Sequence, residues 1–258
     1  MNSWTLRTGG DPAVPSRVPL VQTTSPEPTT NTSAACVDPE TGNALENHFL
    51  RRFDLAARGV PIADTTIGGI TFAVDSAMSA TGSQPITVRL HALDGVLAFA
   101  NMHLLAETTV QVPDGPLQRV RATFANPPVV ASDSVIVAEL SVPDGTVAGN
   151  AFFPGGNSAG ESASGYWAAG ACGFAEPLPL ADLDLGWINL IIEVDVLASD
   201  PCGTDATPVD WLAALPVGGT IGADAQQPLQ AIFNAGNHAG RGRPLGDAGC
   251  GAVPDRDC

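Results

Sequence analysis

The feature that most constrains the fold is a strict alternation of apolar and polar residues between Ile86 and Leu93. One face of this run is apolar and the other is polar: Ile86, Val88, Leu90 and Ala92 on the first, Thr87, Arg89 and His91 on the second. A repeat of two residues is the period of a β-strand. The run therefore predicts a strand with one face in a core and one face outside it.

Similar segments recur along much of the chain. We predict further strands at residues 47–55, 65–74, 103–112, 117–124, 134–142 and 187–196. The chain has 28 glycines and 22 prolines, which suits short strands joined by turns and does not suit helices. With 44% hydrophobic residues there is enough apolar material for a core. The pattern predicts an all-β protein, an antiparallel β-sandwich of the jelly-roll-like kind.

The charge of the chain argues against two classes of partner. Its formal net charge is −16, its pI is about 4.3, and it contains no lysine. Such a surface repels nucleic acid and anionic membranes. No apolar run is long enough to span a bilayer, so membrane insertion is not expected. The N-terminus lacks the apolar segment of a signal peptide, so an exported form is expected to be a later segment of a longer polypeptide, a fragment or a chain with a mis-assigned start.

The composition divides the chain into three parts. Residues 1–34 contain the Ser/Thr/Pro run 23–33 and predict a disordered linker. Residues 35–198 contain the strand patterns and predict the β-sandwich domain. The character changes at residues 199–202, so residues 199–258 are a separate segment.

Several segments of the middle part resemble a known module. Residues 49–55, 82–90 and 142–153, followed by Cys172-Gly173, are similar to a poorly characterised jelly-roll-like β-sandwich of bacterial secreted and cell-surface proteins. The resemblance covers residues 36–197. It implies a module that sits beside peptidase, adhesin or Ig-like domains and has no activity of its own.

The C-terminal segment resembles the start of another module. Pro208-Val-Asp-Trp-Leu212, Gly218-Gly-Thr220 and residues 229–234 are similar to the beginning of a bacterial Ig-like repeat, as in carbohydrate-associated BACON domains. From His238 onward the closing strands are missing. We therefore predict a partial Ig-like segment with an irregular tail, truncated or out of frame.

The five cysteines favour disulfide chemistry. They are Cys36, Cys172, Cys202, Cys250 and Cys258, and none form a C-x-x-C pair. The spacing argues against a zinc ribbon or a thioredoxin-type motif. We expect one or two long-range disulfides formed in an oxidising compartment, with Cys36–Cys172 as the best pair; the alternative is a set of buried free thiols.

The loop at residues 143–170 is the candidate carbohydrate site. Tyr166 and Trp167 could stack on sugar rings, with Asn150 and Asn157 as polar neighbours. The alternative is that Trp167 closes the end of the core beside Cys172 and that the two asparagines cap turns.

Metal binding has one candidate group in the same region. Asp144, Glu161 and Asp133 could hold calcium, which needs loop carboxylates and carbonyls. The alternative is that all three are solvated surface acids. The four histidines form no H-x-H or H-E-x-x-H motif, which argues against a zinc or copper centre.

One motif suggests a nucleophile. Gly156-Asn-Ser-Ala-Gly160 matches G-x-S-x-G, and Ser158, then Asp184 or Asp195, then His238 would follow the chain order of an α/β-hydrolase triad. The elbow needs a helix after the serine, and the residues that follow do not form a helical pattern. We do not expect an enzyme, and no residue is assigned a catalytic role.

The sequence thus predicts a non-catalytic structural, adhesive or accessory module of an exported bacterial protein, located outside the cell or on its surface. The expected partners are polysaccharide or neighbouring domains of the same polypeptide. A carbohydrate-binding module that uses the 143–170 loop is the first alternative, and a serine hydrolase at Ser158 is the second. Calcium is the one cofactor considered.

Overall fold

The computed structural model describes residues 17–57 and 65–197, and within these residues the chain is all-β. Fourteen strands follow one another: β1 Arg17–Leu20, β2 Asn47–Asp54, β3 Thr65–Met78, β4 Ser83–Leu93, β5 Met102–Pro113, β6 Gly115–Thr123, β7 Val129–Val130, β8 Val135–Val142, β9 Ala151–Pro154, β10 Gly156–Asn157, β11 Tyr166–Ala169, β12 Phe174–Pro179, β13 Asn189–Leu190 and β14 Ile192–Leu197. Three short 3-10 helices lie at Phe99–Asn101, Gly170–Cys172 and Leu180–Leu183. No helix in the described residues is long and apolar enough to cross a membrane.

The strands form two six-stranded sheets and a small two-stranded ribbon. The first sheet has the order β1-β14-β3-β6, with β7 and β9 also paired to β3. The second sheet has the order β12-β11-β2-β8-β4-β5, and β10 pairs with β13. Every pairing is antiparallel. The predicted all-β antiparallel sandwich is confirmed.

The apolar faces of both sheets meet in one core. From the second sheet, β4 contributes the face that alternation predicts, with Ile86, Val88 and Leu90 fully buried. From the first sheet, β3 contributes Ile70 and Phe72 to the same cluster. The opposite face of β4 carries Arg89 and His91, and this outer face of the second sheet holds the site described below.

A disulfide closes one end of the core. Cys36 and Cys172 are bonded, with their Cα atoms 6.0 Å apart, so the predicted pair is confirmed. The other three cysteines, and the whole segment predicted as partly Ig-like, lie outside the described residues.

The prediction of a disordered lead-in is wrong for residues 17–34. Strand β1 pairs with β14, and Gln22 Nε2 donates to the Arg52 carbonyl at 2.6 Å. Farther along, the Thr24 and Thr29 amides donate to the carbonyls of Gly160 and Gly156 at 3.0 and 2.8 Å. Polar Ser/Thr/Pro composition predicts disorder because it offers little to bury, but here backbone hydrogen bonds order the segment.

The strand predicted over residues 187–196 is interrupted. Residues Asn189–Leu190 pair with β10, whereas Ile192–Leu197 pair with β3 and β1. Between them, the Ile191 amide donates to the Gly155 carbonyl at 3.1 Å. Side-chain alternation continues across the break, so the sequence pattern alone does not show that the chain changes partner there.

Candidate functional site

The site is organised around Glu139, a buried acid on the outer face of the second sheet. Strand β8 lies between β2 and β4, and its alternation sends Leu140 into the core and Glu139 away from it. In the register, Glu139 is opposite Leu50 on β2 and Arg89 on β4. Only 2% of Glu139 is exposed, so its charge must be met by neighbouring groups.

Two histidines and an arginine supply those groups. His48 Nδ1 lies 2.7 Å from Glu139 Oε1, and His91 Nε2 lies 2.6 Å from Glu139 Oε2. Arg89 Nη1 also donates to Oε1, at 3.2 Å. Burial by itself would raise the pKa of Glu139, but hydrogen bonds from His48 and His91 outweigh it and lower the pKa to about 2. Glu139 is therefore ionised at any ordinary pH.

An open cavity of roughly 310 Å³ lies over this cluster. It is lined by His48, Arg89, His91, Phe99, Leu104 and Glu139. The Phe99 and His48 rings meet edge to face, with centroids 5.2 Å apart and planes at 69°. The volume is near the lower end of the range of about 300–1,000 Å³ for small-molecule sites, and such sites combine apolar walls with a few placed polar groups. We call this cavity the sheet pocket.

The wall formed by Phe99 is fixed from two sides. Glu176 Oε2 on β12 accepts a hydrogen bond from the Phe99 amide at 3.0 Å. Below it, Phe99 packs against a small apolar cluster on the outer face, made of Leu50, Leu93 and Val137. Both the backbone and the ring of Phe99 are therefore held by contacts with residues on the strands.

When His48 and His91 are neutral, their hydrogen bonds to Glu139 determine which ring nitrogen carries the hydrogen. An ionised carboxylate only accepts, so each neutral ring carries its hydrogen on the nitrogen that faces Glu139. His48 Nε2 and His91 Nδ1 are then the acceptor nitrogens. His91 Nδ1 is buried and has no hydrogen-bond partner among the described residues, and His48 Nε2 lies 3.6 Å from Glu46 Oε1.

A metal centre is not assembled in the described part of the chain. No group of three or more His, Cys, Asp and Glu residues there has an arrangement that could hold a metal ion. At the sheet pocket, the imidazole nitrogens nearest Glu139 are hydrogen-bonded to it, so a metal would have to displace those bonds.

The four residues predicted to bind sugar are separated by the fold. Trp167 is 7% exposed, stacks on Phe49 at 5.9 Å and donates from Nε1 to Asn47 Oδ1 at 2.9 Å, so its ring is part of the core. Tyr166 points the other way, towards the apolar cluster beneath Phe99. The prediction that Trp167 stacks on a ligand is therefore wrong, because the residues at positions 166 and 167 face opposite sides of β11.

The two asparagines support the backbone. Asn157 is 2% exposed, and its Nδ2 donates to the carbonyls of Ser25 and Glu27 at 2.9 and 3.2 Å. The Asn150 amide donates to the Gly145 carbonyl at 3.0 Å, and its carbonyl accepts from Ala44 at 2.8 Å. Neither residue lines the sheet pocket.

The three predicted calcium ligands do not form a site here. Asp144 Oδ1 accepts from the amide and hydroxyl of Thr146 at 2.8 and 2.6 Å, and these hydrogen bonds lower its pKa. Glu161 Oε2 pairs with Arg51 Nη2 at 2.6 Å. Asp133 is exposed in the turn before β8. Two of the three carboxylates thus already have other partners.

Ser158 does not lie in a nucleophile elbow. It follows the two-residue strand β10, and bends, not a helix, come after it. Asp195 pairs with Arg121, whose Nε lies 2.5 Å from Asp195 Oδ2, and Asp184 ends the last 3-10 helix. His238 lies outside the described residues.

None of the six residues that line the sheet pocket was predicted from the sequence to be a site residue. The four histidines were considered only through short motifs, and His48 and His91 are 43 positions apart in the chain numbering. One feature of the sequence could have pointed to Glu139: it is the single charged residue of a mostly apolar strand, at a position that alternates away from the core. The order of the strands was needed to show that β8 lies between both histidines.

Comparisons with known proteins give little further information. No protein-family model matches the chain, and no curated protein matches it. A solved structure of the cysteine protease and lectin-like domains of a surface-layer associated protein of Clostridium difficile aligns with a TM-score of 0.44 and 12% identity. The alignment covers 60% of this chain and 33% of that one, so this chain spans about a third of its length. At that level of similarity neither a fold nor a function is transferred, and the resemblance to a jelly-roll-like surface module stays a prediction.

Proposed function

We propose that the domain is a non-catalytic binding module of an exported protein and that it binds a carbohydrate in the sheet pocket. The proposal rests on the structure of the pocket. Phe99 and Leu104 form its apolar walls, and its polar base is the hydrogen-bonded cluster around Glu139. Such a combination is typical of small-molecule sites. The strongly lowered pKa of Glu139 within the same cavity is a further mark of a functional site.

A sugar ring fits this arrangement on chemical grounds. It has an apolar face of C–H groups, which can pack against the rings of Phe99, His48 and His91. It also has hydroxyl groups at its rim, which can donate to Nε2 of a neutral His48 and accept from Arg89, whose side chain is 29% exposed. A flat, wholly apolar ligand would leave those polar groups unpaired, which costs binding free energy.

The proposed site is on the face of a sheet and not in the 143–170 loop. Tyr166 links the two regions, because it packs against the apolar cluster below Phe99. In that loop, Gly156, Asn157 and Gly160 hydrogen-bond to residues of the 17–34 segment.

An extracellular or cell-surface location is part of the proposal. A disulfide that joins Cys36 to Cys172 is stable in oxidising compartments and rare in the cytosol. The net charge of −16 supports solubility and disfavours binding to anionic surfaces.

The proposal is tested by binding to a panel of soluble polysaccharides, measured by calorimetry on the whole chain. We expect at least one neutral polysaccharide to bind, and we expect Phe99→Ala to weaken that binding by about tenfold or more, through loss of the wall of the pocket. Trp187→Ala is the matched control, since Trp187 is an aromatic residue that is 51% exposed and does not line the pocket.

Thermal unfolding of each variant shows whether the fold is retained. Equal affinities for Phe99→Ala and the unsubstituted protein would move the site away from the sheet pocket. A loss of binding in Trp187→Ala alone would place it at the loop that carries Trp187. If no polysaccharide binds, the binding proposal fails and a structural or accessory module is left.

A further inference from the structure

The charges around the sheet pocket restrict which sugars can enter it. Among the lining residues, Arg89 is the one arginine, and it is already shared between two carboxylates. Its Nε lies 2.6 Å from Glu107 Oε2, and its Nη1 lies 3.2 Å from Glu139 Oε1. An anionic ligand needs a cation that is not already neutralised, and this arginine does not provide one.

Further carboxylates stand at the rim. Glu46 is 69% exposed and lies 3.6 Å from His48, while Glu107 is 46% exposed and lies beside Arg89. Glu176 holds the Phe99 amide from the adjoining edge. With Glu139 there are four carboxylates in or around the pocket, against one arginine and two histidines.

The second arginine on this face does not change that balance at the pocket. Arg52 is on β2, two positions beyond Leu50 and four beyond His48, opposite Val137 in the register. It does not line the cavity, and Leu50 separates it from His48 along the strand. The potential in the pocket is therefore set by the nearer carboxylates.

We infer that the sheet pocket selects sugars without negative charge, so that neutral or amino sugars bind and uronic acids are excluded. The inference rests on the proposed function and adds a specificity to it. Glu107 is the specificity-determining residue, because it is the exposed carboxylate that neutralises Arg89. Glu139 is a positioning residue, which orients the two imidazoles and is too deeply buried to meet the ligand.

The test compares one polymer in two charge states. The probes are the neutral polysaccharide that binds best in the panel and the same polymer with its C6 hydroxyls oxidised to carboxylates. At low salt we expect the oxidised form to bind about tenfold more weakly or worse, because several like charges lie within a Debye length. At high salt the difference should shrink, since exposed charges are then screened.

A substitution identifies the residue responsible. Glu107→Gln releases the Nε side of Arg89 and removes one negative charge, so the affinity for the oxidised polymer should rise about tenfold relative to the affinity for the neutral polymer. Glu40→Gln removes one exposed acid that does not line the pocket, and it should leave both affinities unchanged.

Each outcome decides a different point. Equal or tighter binding of the oxidised polymer, with Phe99→Ala still weakening it, overturns the charge selection and leaves carbohydrate binding intact. If Glu107→Gln and Glu40→Gln behave alike, Glu107 is not the determinant. If neither polymer of any pair binds, the proposed function fails and this inference fails with it.

Discussion

At the scale of single residues, Glu139 links the pocket to stability. Its pKa is lowered from 4.5 to about 2 in the folded protein, since hydrogen bonds from His48 and His91 outweigh the effect of burial. A carboxyl whose pKa is depressed by folding stabilises the folded state above its unfolded pKa, and this contribution is lost as the pH falls through the folded pKa. The window is therefore about pH 4.5 down to about pH 2.

Glu139→Gln should remove this dependence. At about 1.4 kcal/mol per pKa unit, the group contributes on the order of 3 kcal/mol near neutral pH, and the unsubstituted protein should lose that much more stability on acidification than the variant does. Urea unfolding at a series of pH values measures the difference, in which the other carboxylates cancel. Parallel stability curves for the two proteins would show that Glu139 is not held in this way.

At the scale of elements, Arg51 joins segments that have little regular structure of their own. It is on β2 between Phe49 and Phe53, faces the core and is fully buried. Its guanidinium donates to the carbonyls of Leu190 and Ala163, to Gln22 Oε1 and to Glu161 Oε2. One side chain thus connects β2 to the lead-in, to the loop after β10 and to β13.

Arg51→Met should destabilise the protein by about 3–5 kcal/mol, because it leaves Glu161 and several carbonyls without their buried donor. Hydrogen exchange should locate the loss, with the amides of Thr24 and Ser162 deprotected before those of the sheets. Arg17→Met, at an exposed arginine in β1, is the control and should have little effect. Uniform deprotection over both sheets would mean that Arg51 supports the whole core equally.

The strands that the sequence predicted and those it missed differ in their side chains. Alternation located β4, which has Ile, Val and Leu on one face and Thr, Arg and His on the other, and β-branched residues located β8. Strands β1, β11 and β12 are four to six residues long and occur among Gly, Ala, Ser and Pro, so their pattern is too short to stand out. Strands β1 and β11 pair with strands that are distant in the chain, β14 and β2 respectively.

At the scale of the whole molecule, the order of the strands brings the site residues together, and this order could not be predicted from local sequence patterns. His48 and Glu139 are 91 positions apart, and His91 and Glu139 are 48 apart. Their outward direction follows from alternation within each strand. Their contact follows only from β8 lying between β2 and β4, which local patterns do not specify.

The disulfide acts on the same scale, because it joins two segments that are distant in the chain. Cys36 and Cys172 are 136 positions apart, and a cross-link of that span removes chain entropy from the unfolded state worth about 5 kcal/mol in the chain-entropy model. We expect reduction to lower the urea midpoint by an amount equivalent to several kcal/mol. The double substitution Cys36→Ala, Cys172→Ala should match the reduced protein and should no longer respond to reductant.

If the oxidised and reduced proteins unfold at the same urea concentration, the fold is held by its core alone and the bond has no thermodynamic role. A large shift would instead mean that this sandwich depends on an oxidising environment, as the proposed location requires.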